Sequence, residues 1–274
     1  MIMRFVVALA GLTLVAQDPK AIIEKSLQRD QRDDDVARNY AYLETSAEQE
    51  WKNGQRSKLQ LETHEIISLY GQPYRRLVKK DGKPLSAAEQ KKEQDKIDKL
   101  AAERARETPA QTERRLAKYA EDRRRQRAFL QEIPKAYSFQ MAGETNIGGR
   151  PAWIIDATPL ASFRPRDQRE RMLSKFKGRF YVGKQDSTLL KLEAEAIDVV
   201  SFGLVLARLE KGARFTLEKT RINDELWMPL RIKVDFDARL ALFKRLRVDL
   251  QIDYTEFRKF QSESKVLAVS PLEK

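Results

Sequence analysis

The chain has 274 residues, 41% hydrophobic and 34% charged, with a formal net charge of +12. It has no cysteine and one histidine, His64. That excludes disulfides, thiol chemistry and a histidine-rich metal site, and it favours anionic partners.

Met1 to Ala16 reads MIMRFVVALAGLTLVA, with one positive charge at Arg4 before an apolar run from Phe5 to Val15. The run is shorter than the ~20 residues a membrane-spanning helix needs. Its layout predicts a secretory signal peptide over residues 1–16. No cysteine follows it, so no lipid anchor is expected. The mature chain, 17–274, is then expected as one domain in a bacterial periplasm. Nucleic acid is not an expected partner there, and the positive charge is better matched to lipid headgroups or an acidic protein.

Asp18-Pro19 is a helix start, and the apolar spacing of Ile22, Ile23, Leu27, Val36 and Ala37 predicts a helix over 18–39. The run Asp33-Asp34-Asp35 reads as a solvated acidic turn, because consecutive residues diverge on a helix and converge poorly on a metal. Strands are expected over 40–47 and 57–69 around a loop at Asn53-Gly54, with His64 on a wet strand surface. A third strand, 74–80, ends in the turn Asp81-Gly82.

The segment 86–131 differs in kind: it is dense in both charges and has no glycine. Ser86-Ala87-Ala88-Glu89 and Thr108-Pro109-Ala110-Gln111 are capping boxes. They predict two helices, a charged hairpin with a thin apolar stripe (Ile97, Leu100, Leu116, Tyr119). Arg123, Arg124, Arg125 and Arg127 near its end read either as contacts for a partner or lipid headgroup, or as a solvated helix end.

Strand character resumes at 136–142. Gly148-Gly149 marks a hairpin, and 152–158 is a strong strand. A polar, helical connector is expected over 164–175. From Gly178 onward a period of two recurs: Leu190, Leu192; Phe215, Leu217; Leu230, Ile232, Val234, Phe236; then Leu246 to Tyr254. Such alternation predicts a sheet with one wet and one dry face. The fold class is therefore α+β, mainly β. A strongly curved antiparallel sheet of about eleven strands, a half-barrel, is covered by helices.

GGRPAWIIDATP, Gly148 to Pro159, and RFYVGKQDSTLLKLEA, Arg179 to Ala194, are similar to successive hairpins of the LolA/LolB-like lipoprotein-carrier family. The family includes the RseB-like sensor domains. The resemblance spans about residues 20–257, and the 86–131 insertion departs from it. It implies an apolar trough between sheet and helices that holds acyl chains of a lipid or lipoprotein. Here that role would fall to Leu190, Leu192, Phe215, Leu217, Leu230, Ile232 and Val234, each of which also reads as plain core. GxSxG, HExxH, P-loop and GxGxxG motifs are absent. No enzyme activity, cofactor or metal is therefore expected. The competing expectation is an envelope protein-interaction or sensor module, contacting an acidic partner or an anionic membrane surface through the basic helices.

Overall fold

The computed structural model describes residues 17–202, 207–240 and 244–260. The expected signal segment, 1–16, lies outside these residues, as do parts of the expected strands near 202–209 and 240–246.

Helix α1 (Pro19–Ala37) begins where expected: the Asp18 carboxylate accepts the Lys20 N–H at 2.9 Å, and Pro19 occupies the first turn. The chain then runs β1 (Tyr40–Lys52), β2 (Gln55–Arg56), β3 (Gln60–Leu69), β4 (Gln72–Lys80) and β5 (Lys83–Pro84). Both capping boxes form, and they start α2 (Ala87–Ala105) and α3 (Pro109–Ala128). A 3-10 turn (Phe129–Glu132) and the short α4 (Ile133–Ala136) lead into β6 (Tyr137–Ile147) and β7 (Arg150–Pro159). Then come α5 (Gln168–Leu173), β8 (Phe176–Gly183), β9 (Leu189–Ala196), β10 (Val200–Phe202), β11 (Ala207–Leu209), β12 (Arg214–Ile222), β13 (Leu226–Leu240) and β14 (Lys244–Lys259).

All these strands join one antiparallel sheet. Its main path has eleven strands in the order β5-β4-β3-β1-β14-β13-β12-β9-β8-β7-β6, with β2, β10 and β11 attached beside it. Two meanders, β1-β3-β4-β5 and β6 to β14, are joined by the pairing of β1 with β14, which runs from Tyr40↔Lys259 to Lys52↔Leu246. The expectation of a strongly curved half-barrel goes further than this pairing, in which the path stays open, with β5 and β6 as its two ends.

The main core lies under the N-terminal half of α1. Ile22 and Ile23 pack with Ile155, Ala157, Phe180, Val182 and Leu189 of the sheet and with Ile133, Ala136 and Leu173. A second cluster holds the other end of α1, where Val36 and Ala37 meet Tyr40, Leu226 and Met228. A third joins Ala152, Leu190 and Trp227.

Two local expectations are corrected. His64 is not on a wet surface: it is 8% exposed, on a stretch where Thr63 and Glu65 are also buried. A register shift between Thr63 and His64 against β4 breaks the simple alternation there. Asp33-Asp34-Asp35 is not a solvated turn but part of α1, with Asp33 6% exposed and Asp34 bound to Arg123 and Arg127 of α3.

Gly71, in the β3–β4 turn, has φ +79°, and a Cβ there would lie 3.0 Å from Leu116 Cδ2 of α3. Replacement by alanine is expected to cost about 1–2 kcal/mol from the left-handed backbone alone. It should also loosen α3, as a drop in the denaturation midpoint and faster amide exchange in α3 would show.

Candidate binding site

The helix-facing side of the sheet carries the apolar half of the period-two pattern. Register places Leu192, Leu217, Ile232 and Ile252 in one row across β9, β12, β13 and β14. Ala194, Phe215, Val234 and Leu250 form the next row, and Phe236 faces Val248 beyond it. Leu192 and Leu217 pack against the main core, which identifies the face as the one under α1. Phe215, Ile232, Val234, Phe236, Leu250 and Ile252 are half-buried and belong to none of the three buried clusters. They make a contiguous apolar floor outside those clusters. Lys233, Asp235, Asp249 and Gln251 alternate with them on the opposite face.

On the β1 side the floor meets a polar border. Leu250 faces Glu48, Ile252 faces Ser46 and Tyr254 faces Glu44. Glu44 pairs with Arg75 at 2.8 Å, and Glu50 pairs with Lys52 at 2.6 Å. Tyr42 and Tyr254 stand at this border with ring centroids 5.9 Å apart. Burial pushes the Tyr42 phenol up to about 12, and Glu44 and Tyr119 of α3 add repulsion. Burial raises Tyr254 as well. These tyrosines stay neutral and act as amphipathic edge residues. Burial first, then Arg75, lowers His64, so it is neutral at physiological pH. Its Nδ1 has no hydrogen-bond partner, and its Nε2 lies 3.7 Å from Glu62.

Charge pairs fasten the helices. Lys219 of β12 binds Asp30 of α1, and Arg123 and Arg127 of α3 converge on Asp34. The Asp33 Oδ2 is buried without a hydrogen-bond partner. Burial raises the Asp33 pKa, with the Trp227 backbone, Arg29 and Lys219 opposing. A carboxyl raised in the folded state disfavours folding once pH exceeds its unfolded value, and the penalty is complete above the folded value. Asp33→Asn should therefore unfold at a higher temperature than the parent at neutral pH. The gap should close as pH falls below 3.8, the ordinary value. A thermal-melt series across pH checks this.

The residues expected from sequence are distributed as follows. Phe215, Ile232 and Val234 share the floor, whereas Leu192 and Leu217, in the same rows, pack against the main core. Leu230 belongs to β13 but is 40% exposed. Leu190 sits apart, in the cluster with Ala152 and Trp227. A bulge between Tyr181 and Val182 pairs Val182 with Leu189 and Tyr181 with Lys191, so Leu190 points away from the side that Leu189 and Leu192 share. Phe236, on the same strand as Val234, and Leu250 and Ile252 of β14 join the floor although they were not named as cavity residues; their signal was the same alternation carried along β13 and into β14. Of the basic cluster, Arg123 and Arg127 are engaged by Asp34, Arg125 is exposed and pairs with Glu121 within α3, and Arg124 is exposed.

The outer face holds a separate open concavity of about 590 Å³, lined by Asp156, Lys177, Arg179, Glu193, Glu195 and Arg214 among others. Its charges are largely matched: Arg179 binds Asp156 through two nitrogens at 2.6 and 2.9 Å, and Lys177 lies 3.2 Å from Glu195. Among the described residues no group of three or more His, Cys, Asp or Glu side chains could hold a metal, and no helix is long and apolar enough to cross a membrane.

No family model and no curated protein matches the chain. Solved structures do match at low identity. A domain named for outer membrane lipoprotein sorting, from Vibrio parahaemolyticus, is 11% identical with a TM-score of 0.36, covering 89% of this chain and 95% of that one. A LolA superfamily protein from Nitrosomonas europaea is 10% identical with a TM-score of 0.32, covering 91% and 96%. MucB in complex with MucA, from Pseudomonas aeruginosa, is 11% identical with a TM-score of 0.23, covering 90% and 100%. The chain thus has distant structural matches to the LolA superfamily and to MucB.

Proposed function

We propose that this chain is a non-enzymatic envelope carrier or binder, a single exported periplasmic domain whose cargo is the acyl chain of a lipid or lipoprotein. The cargo lies on the floor of Phe215, Ile232, Val234, Phe236, Leu250 and Ile252, on the side of the sheet that faces α1. The observation that carries this reading is the contiguity of that floor: two apolar rows across neighbouring strands, half-buried yet outside the closed core. Each buried methylene contributes ~0.8 kcal/mol, so a long chain is held without any directed polar contact. The tyrosine and carboxylate border at β1 gives the polar end of a cargo a wet exit.

The direct test is mass spectrometry of an organic-solvent extract of the mature chain, purified from a bacterial periplasm without detergent. A stoichiometric acyl species is expected. An empty extract, followed by failure to take up a fluorescent fatty acid, would remove the carrier reading.

A further inference from the structure

Three arginines stand in register at one rim of the sheet, on the outer face. Arg208 of β11 lies opposite Arg239 of β13, and Arg239 lies opposite Arg245 of β14. All three are exposed. Like charges directly opposite across strands destabilise a sheet, and here two such pairs follow one another. Glu210 partly offsets them, 2.8 Å from Arg239. Among the described residues, Arg208 and Arg245 have no carboxylate partner. The patch continues onto β1, where Trp51 pairs in register with Arg247 and the guanidinium lies 5.3 Å from the indole centroid. Arg247 is exposed, and its own carboxylate contact, Asp249, is loose at 3.5 Å.

The arrangement is a row across adjacent strands on one face of the sheet. Neighbouring strands set the arginines roughly 5 Å apart, so they present a line of forked donors to a plane of anions. A tryptophan under a basic group is the composition of a membrane–water interface, where the indole sits at headgroup level. The row runs across the strands rather than along one, so an extended acidic peptide laid on it would cross the strands and could not pair with them; the open edge beside the row, on β10, lies only at its end. The charge the sequence placed on α3 is different: half of that cluster is turned inward onto Asp34.

We infer that this rim docks on an anionic bilayer, with Arg208, Arg239 and Arg245 taking lipid phosphates and the Trp51–Arg247 pair seated among the headgroups. Docking there goes beyond the cargo reading and uses the face opposite the apolar floor.

The test is co-sedimentation of the mature chain at low salt with vesicles of phosphatidylcholine alone, or with about one-third phosphatidylglycerol. Binding only to the anionic vesicles is expected, weakening as salt is raised. A variant carrying Arg208→Gln, Arg239→Gln and Arg245→Gln should bind roughly 100-fold more weakly. Its melting temperature should be unchanged or higher, since two repulsive pairs are removed. Should that variant fold poorly, Arg245→Gln alone should weaken binding roughly fivefold. Arg124→Gln with Arg125→Gln, on exposed α3 positions, should leave binding near the parent level. Equal binding by the rim variants, equal loss in the α3 variant, or binding to polyglutamate but not to the anionic vesicles would each overturn the inference. Extracted cargo and vesicle binding are separate readouts, so each idea fails without the other.

Discussion

Ile155→Ala is expected to destabilise the fold by about 2–5 kcal/mol, the range for emptying a well-packed aliphatic site. Ile155 is 0% exposed at the centre of β7, between Met141 of β6 and Phe180 of β8. It shares the main cluster with Ile22 and Ile23 of α1. Strands on both sides hold the walls, and Phe180 meets Phe139 edge-on at 6.3 Å, so the site collapses poorly around a methyl group. The neighbouring Ile154 faces the other way and is half-buried. Ile154→Ala should cost about 1 kcal/mol or less. Chemical denaturation of both variants decides the matter, and equal losses would mean that the core does not lie under α1.

Val234→Glu should lower the affinity for a fluorescent fatty acid roughly 100-fold. A carboxylate in the middle of the Phe215–Val234–Leu250 row either stays charged against the acyl chain or is neutralised at a cost of several kcal/mol. The same substitution one residue earlier, Lys233→Glu, reverses an exposed charge on the opposite face and should leave uptake unchanged. The pair separates burial of cargo from bulk charge, because both lower the net charge. Parallel behaviour of the two variants, with both folded by circular dichroism, would count against the floor as the cargo site.

Much of the architecture was legible because it rests on near-neighbour chemistry. The Ser86–Glu89 and Thr108–Gln111 boxes are reciprocal hydrogen bonds within one turn, so they need only four residues to be recognised. Gly148, at φ +56°, and Gly149, at φ +81°, form the expected hairpin turn for the same reason. The floor was legible through alternation, since a strand sends every second side chain to one face whatever it pairs with.

Departures arise where a distant partner decides. The bulge at Tyr181–Val182 turns Leu190 to the opposite side from Leu192, although both occupy even positions of one run. The Asp33 carboxyl lies buried at the end of α1 that packs on β13, nearly two hundred residues later in the chain, where Val36 and Ala37 meet Leu226 and Met228. Arg123 and Arg127 looked like a free basic cluster until α3 was laid beside α1 and Asp34 received them.

The amino-acid order thus settled the helix starts, most turns, the strand faces and the mainly-β character, because each depends on contacts spanning a few residues. Tertiary structure decided the rest: the β1–β14 pairing that joins the two meanders, the register that aligns the apolar rows into one floor, and the stacking of Arg208, Arg239 and Arg245 at the rim. These depend on which strands become neighbours. A single strand carries its own periodicity, but it carries no signal for the partner that will lie beside it.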